Sequence, residues 1–266
     1  MSIIAQGKIV EFVLLVITMT LTYFYLYKAV IGKLKDPIRM LSQFLAISDG
    51  VDKAVEEGKY IYVTAGIYAY LSGMYAAMTI NGMNVMRYLA RLAVRRGAKI
   101  RFIAAAQPET IALIDGIWRE VCVTEGRPEV YDPDAIRFYG ATEAGYSTGS
   151  GADVLATGAS LLVAIGAPTS AERFMLGAAR QNGALIVGGT PRYFHQSTYA
   201  LMADYPLYCD DIYAAGALAS GDEEVAASIV GGDVVKLMII IGIILFTLLG
   251  IAGIPTWQKG TGWLYQ

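Results

Sequence analysis

Residues 159–172 read ASLLVAIGAPTSAE, and this stretch decides the fold. From Leu161 to Ile165 the run is unbroken apolar sequence, the pattern of a strand buried on both faces in a parallel sheet under helices. Gly166, Ala167 and Pro168 then break it. Thr169 followed by Glu172 makes a capping box, predicting a helix that ends before Gly183. Strand, tight turn and helix in this order form the repeating half of a doubly wound α/β fold.

Similar runs lie on either side. Tyr60–Thr64, Lys99–Ala105, Ala135–Tyr139 and Ala184–Gly188 read as further strands, and Pro206–Cys209 as a weaker edge strand. Successive strand starts fall 39, 36, 24 and 25 residues apart, room for one crossover helix each. Asn84–Arg96 carries Val85, Tyr88, Leu89, Leu92 and Ala93 at helical spacing, with Gly97 as its stop. Pro108 opens a helix that runs to about Glu125. A helix from about Pro37 to Glu57 leads into the first strand. The uncharged, tyrosine-rich stretch from Ile67 to Met83 has two readings, a buried loop and helix or a segment lying in a membrane. Ser72, Gly73, Thr79, Asn81 and Gly82 favour the first.

The two ends are different in kind. Ile9–Ile31 is nearly all apolar and reaches roughly 34 Å as a helix, enough for a bilayer core of about 30 Å. It is too long for a signal peptide, and no small-residue cleavage site follows it. Leu237–Ile254 reaches roughly 27 Å; Pro255 ends it, and Trp257, Trp263 and Tyr265 form an interfacial cluster. Lys28, Lys33, Lys35 and Arg39 gather at the inner end of the first span, whereas the tails offer Lys8 and Lys259. The positive-inside rule puts the central region in the cytoplasm and both termini outside. The expected organisation is a transmembrane helix in 1–35, a Rossmann-like α/β domain in 36–236, and a second transmembrane helix with a short tail in 237–266.

Composition narrows the function. The chain has 266 residues, 55% hydrophobic and 17% charged, with mean hydropathy +0.47. That excludes a disordered chain, which combines low hydrophobicity with high net charge. Residues 36–236 hold 16 basic and 22 acidic side chains, a balance of −6 that argues against nucleic acid as a partner. Cys122 and Cys209, expected as free thiols, are too few for a four-thiolate metal site, and the single histidine, His195, excludes a two-imidazole site. Asp204, Asp210 and Asp211 do not form a calcium loop, so no metal site is expected.

In open parallel sheets ligands bind beyond the carboxyl ends of the strands. Here those segments are small, polar and glycine-rich: Gly66 after the first strand, Gln107 and Glu109 after the second, Gly140–Gly151 with Glu143 after the third, where the Gly145–Gly151 run reads as part of a long loop. Gly166 follows the fourth, and Thr190, Arg192 and His195 the fifth. Amides at helix starts attract anions, and glycine lets a ligand approach. Gly66, Gln107, Glu109, Glu143, Gly166, Thr190, Arg192 and His195 are therefore the candidate ligand-binding set. Each also has an ordinary structural role: small residues make tight turns, acidic residues cap helices, and a lone histidine most often fills a hydrogen bond. No dinucleotide, Walker or nucleophile-elbow motif is present, so no catalytic residue and no cofactor is assigned.

Two charged stripes point towards assembly. Arg87, Arg91 and Arg95 share one helix face, and Asp49, Asp52 and Glu56 another. Such stripes are usually solvated; their opposite signs also permit pairing between helices or subunits. Eighteen tyrosines add interface-prone surface.

Ser48-Asp49-Gly50, Thr64-Ala65-Gly66, Ile80 to Asn84, Ala106-Gln107-Pro108-Glu109 and Gly140 through Gly151 together resemble an uncharacterised family of prokaryotic membrane proteins, a domain of unknown function. The resemblance covers most of residues 40–235 and implies no activity, cofactor or substrate. The leading expectation is a membrane-anchored, non-catalytic scaffold, a homo-oligomer in the lipid bilayer that also binds a small polar ligand. The alternative is a membrane-anchored enzyme acting on a small anionic or nucleotide-like substrate.

Overall fold

The computed structural model describes residues 9–32 and 40–251, which fall into two compact units. Lys8, Lys33, Lys35, Arg39, Lys259, the Pro37 helix start, and Pro255 with its aromatic cluster lie outside the described residues.

The first unit contains helices α1 (Ile9–Val30) and α9 (Glu223–Ile251). Both are long and apolar enough to cross a membrane, over Glu11–Val30 and Glu223–Leu245. They pack against each other, and Gly231 lets them close up: a Cβ there would stand 3.1 Å from the Thr22 Cα. The threonine hydroxyls at 18, 20 and 22 return their hydrogen bonds to carbonyls one turn earlier, so no hydroxyl donor is left over. Most apolar side chains of both helices are exposed, which the core helix of a soluble protein would not show. The second helix starts well before the Leu237 expected from hydropathy. The Asp222 carboxylate accepts from the Glu224 N–H at 2.9 Å, and Glu223 and Glu224 stand in the first turn, so helix geometry begins there.

The second unit contains helices α2 (Ser42–Glu57), α3 (Ala76–Arg96), α4 (Pro108–Thr124), α5 (Glu143–Thr157), α6 (Arg173–Gln181), α7 (Tyr193–Met202) and α8 (Asp211–Ser220). Its strands are β1 (Tyr60–Thr64), β2 (Lys99–Ile103), β3 (Ile136–Arg137), β4 (Ala159–Ile165), β5 (Leu185–Thr190) and β6 (Tyr205–Tyr208). The sheet is entirely parallel, in the order β3-β2-β1-β4-β5-β6. This is the doubly wound Rossmann order, with the reversal between β1 and β4.

All seven residues of β4 are buried, as the unbroken apolar run requires of a central strand. One face of the sheet meets α2, α3 and α4, with α8 against α3; Gly50 of α2 sits on Leu161, and Trp118 of α4 lies 5.3 Å from Phe102. The other face meets α5, α6 and α7 through a core that includes Tyr62, Leu162, Ile186, Tyr146, Met175 and Tyr199.

Three expectations change. The Ala135–Tyr139 strand shrinks to two paired residues, β3, at the sheet edge. The glycine-rich run after it is a helix rather than a long loop: Thr142 caps α5 by accepting from the Gly145 N–H, and the small residues are its packing surface. A Cβ on Gly149 would strike the Tyr139 ring at 2.7 Å, and one on Gly151 would press on Phe174 at 3.2 Å. Finally, α3 begins at Ala76 rather than Asn84, after a loop and a 3-10 turn at Gly73–Tyr75.

Candidate functional site

The reversal between β1 and β4 is where a doubly wound sheet offers its crevice. Here the chain fills it. The Ala167 N–H donates to the Ala65 carbonyl at 2.7 Å, joining the two loops directly. Gly66, at φ +94°, makes this approach possible, because a Cβ there would fall 2.2 Å from the Pro168 nitrogen. Gly166, at φ +138°, meets the Ala65 carbonyl in the same way at 2.7 Å. Gly82 of α3 closes the contact from one face: its Cβ would meet the Ile165 carbonyl at 2.5 Å.

A buried carboxyl bolts the loops from the other side. Glu172 is fully buried, and its two oxygens accept from the Ile67 N–H at 3.0 Å and the Thr169 N–H at 2.6 Å. One donor belongs to the β1 loop and the other to the β4 loop, so the capping box foreseen from Thr169 and Glu172 also ties two strands' ends together. Burial pushes the Glu172 carboxyl up to about 7, against the pull of its backbone donors. Two buried phenols line the same pocket of core. The Tyr146 hydroxyl meets the Thr64 hydroxyl at 2.8 Å, and the Tyr199 hydroxyl has no hydrogen-bond partner. Burial drives both phenols well up, and the Glu172 charge adds to it. An intramolecular carboxylate thus holds the amides that a bound anion would hold in an open crevice.

The remaining candidates lie on the rim. The Tyr68 hydroxyl donates to Glu143 at 2.6 Å, which raises the phenol to about 12. Tyr68 stacks on Tyr75 at 5.7 Å, and Tyr70 meets both edge-on at 5.5 Å. The Arg192 guanidinium lies over this cluster, 5.6 Å from the Tyr68 ring and 5.4 Å from the Tyr75 ring. Its Nη1 is buried without a hydrogen-bond partner. His195, in the first turn of α7, accepts at Nδ1 from the Ser170 N–H at 3.3 Å. Burial lowers its pKa, Arg192 lowers it further, and Glu143 opposes both.

The sequence model of the family described as a domain of unknown function, DUF6754, matches residues 1–260. The chain belongs to this family. No curated protein and no solved structure matches it.

In this DUF6754 chain the eight candidate residues divide into groups. Gly66 and Gly166 serve the seal. Glu143 and Arg192 meet at Tyr68, His195 lies within electrostatic reach of both, and the Thr190 hydroxyl is buried, accepting from the Arg192 N–H at 3.3 Å. Gln107 and Glu109 line a cavity of about 180 Å³ with Leu71, Ser72, Thr110 and Tyr70, the ring it shares with the rim cluster. Tyr68 and Tyr75, which organise the rim, were not among the candidates. Only the tyrosine density of residues 60–75 signalled them, since phenols fit a core or an interface equally well.

Elsewhere in the domain, Arg101 of β2 pairs with Asp153 of α5 at 2.5 Å, and the Tyr62 hydroxyl donates to the same carboxylate at 2.8 Å. Burial alone would raise the Asp153 carboxyl; hydrogen bonds and the Arg101 charge hold it low instead. A cleft of about 360 Å³ lies at the opposite, amino-terminal edge of the sheet, lined by Tyr60, Lys99, Trp118, Arg127 and Asp132 among others. Among the described residues no three His, Cys, Asp or Glu side chains gather closely enough to hold a metal ion. The charged stripes do not pair with each other among the described residues: Arg87 pairs with Glu120 of α4 at 2.9 Å and Arg95 with Glu125, just past the end of α4, at 2.7 Å, while Asp52 pairs with Arg96 at 2.7 Å.

Proposed function

We propose that this protein is a membrane-anchored, self-associating scaffold of a prokaryotic cell membrane. In this reading its α/β domain faces the cytoplasm, both termini lie outside, and the domain holds a small polar ligand on its rim. The observation that carries the non-catalytic part is the sealed crevice. A reaction site at the strand reversal needs open amides, and here Glu172 and the paired loops occupy them. Self-association draws support from apolar side chains left on the domain surface. Met74 is 73% exposed, Tyr193 72%, Phe194 71% and Leu201 78%, more than a monomer in water gains from showing.

Native mass in mild detergent, measured across a range of protein concentrations, tests the assembly. A discrete mass of two or more chains is expected; a strict monomer throughout rejects it. Orientation is read separately at Cys209, exposed on the domain while Cys122 is buried. A membrane-impermeant thiol reagent should label Cys209 in inverted vesicles and leave it unlabelled in intact cells. Labelling in intact cells would reverse the topology.

One observation favours a second reading, that of a membrane-anchored enzyme acting on a small anionic or nucleotide-like substrate. Glu143 and Arg192 both meet Tyr68, and His195 lies within electrostatic reach of the two, so an acid, a cation and an imidazole come together from the starts of two helices. Turnover of a phosphate ester that disappears in Glu143→Gln and in His195→Gln, with folding intact, would favour this reading over the scaffold.

A further inference from the structure

We propose that Arg192 and His195 form an oxyanion site for a small molecule carrying a phosphate or carboxylate group and a flat ring, a nucleoside monophosphate being the representative chemistry. The inference rests on the ligand-holding part of the proposed function and gives it a place and a class.

Arg192 carries the argument. Among the described residues no carboxylate lies within ion-pair distance of its guanidinium, in contrast to Arg101, which pairs with Asp153, and Arg96, which pairs with Asp52. Its Nη1 is buried without an acceptor, a costly arrangement for a charged donor. The Tyr68 and Tyr75 rings lie against the guanidinium, which reduces the rotamer entropy that a free arginine loses on binding. A planar fork held in place suits an oxyanion bound through two parallel hydrogen bonds.

His195 adds a second donor. Its Nδ1 is engaged as an acceptor from Ser170, so in the neutral ring the proton sits on Nε2, which can donate. Both residues stand at the start of α7, a ten-residue helix that begins without a side-chain cap, so its first amides and dipole favour the same charge. Tyr193 and Phe194 lie beside them with ring centroids 3.9 Å apart, and both are mostly exposed. They present an aromatic surface on which a flat ring can stack. Glu143, held by the Tyr68 hydroxyl, opposes a dianion but accepts from a hydroxyl group such as that of a sugar. These groups come from the loop after β1, from α5, from the turn after β4 and from α7, which converge at the carboxyl end of the sheet.

His195 is the only histidine in the chain, so its imidazole is a unique reporter. The full-length protein, labelled at histidine Cε1 and held in phosphatidylcholine nanodiscs at constant pH, is titrated with inorganic phosphate and with adenosine monophosphate. A saturable displacement of the single imidazole resonance is expected, at lower concentration for the nucleotide because its ring stacks. Arg192→Lys keeps the cation without the fork and should weaken binding by about tenfold; Arg192→Ala should abolish it, with the melting temperature confirming the fold. Repeating the experiment in discs containing phosphatidylglycerol separates the sources of the anion: if a lipid headgroup fills the site, the resonance is displaced before any ligand is added. A resonance that responds to none of the three, or responds equally in Arg192→Ala, overturns the proposal. The oligomeric mass is unaffected by that outcome, so failure of the anion site and failure of the scaffold reading are distinguishable.

Discussion

The crevice between β1 and β4 and the rim beyond β5 lie along the same edge of the same sheet, and both are built from short polar loops. One is closed by the chain's own carboxyl; the other leaves a guanidinium unanswered. At the crevice, Gly66 and Gly166 bring two backbones together, and Glu172 satisfies an amide from each loop. At the rim, two tyrosine rings support Arg192, yet nothing accepts from its buried nitrogen. A loop rich in glycine and hydroxyl groups can therefore serve self-closure or recognition, and the difference lies in whether the chain supplies its own counter-group.

The largest test of this contrast is Gly66→Ala. Its Cβ would overlap the Pro168 backbone at a φ that side chains avoid, so a loss of about 3–5 kcal/mol is expected in thermal or denaturant unfolding. Unchanged stability would mean that the loops can part, and the crevice would count as open. Glu172→Ala comes next. It strands the Ile67 and Thr169 amides in the core and should cost about 3 kcal/mol.

The same carboxyl gives the seal a pH signature. Folded, it titrates at about 7; unfolded, at its ordinary value of 4.5. Between those values the folded state binds the extra proton, so stability falls as pH rises from about 4.5 to about 7 and then levels. The span is on the order of 3 kcal/mol. Glu172→Gln cannot ionise and should remove this contribution to the slope; a variant with the wild-type slope would place the titration elsewhere.

Smaller effects calibrate the comparison away from the crevice. Asp153→Asn leaves Arg101 without its partner in a mostly buried site and should cost about 2 kcal/mol. Arg87→Ala removes a solvent-screened pair with Glu120 and should change stability by less than about 1 kcal/mol. If the second matched the first, the α3–α4 surface would be stabilised far more by charge than its exposure allows.

How much of this could be read in advance varies along the chain. Tyr60–Thr64 and Ala159–Ile165 are strands at the expected residues, because an apolar run bounded by turn residues has few other ways to hide both faces from water. The Thr169–Glu172 box was visible because capping is local chemistry. The Gly140–Gly151 stretch misled: small residues mark a loop by composition, but on α5 they make room for Tyr139 and Phe174, partners from other segments. The apolar run from Leu237 does not mark the start of α9, because hydropathy counts apolar residues, while helix geometry begins at the carboxylate of Asp222.

The sequence by itself determined the alternation of strand and helix, the strand that must lie at the centre, and two terminal helices apolar enough for a bilayer, since each follows from local spacing and side-chain polarity. Only the tertiary structure decided the strand order, the reversal between β1 and β4, and the use made of each polar loop. Glu172 reaches an amide more than a hundred residues away in the chain, and Arg192 finds two rings from a distant segment but, among the described residues, no carboxylate. Whether a polar group is answered depends on neighbours in space, and no sequence period records them.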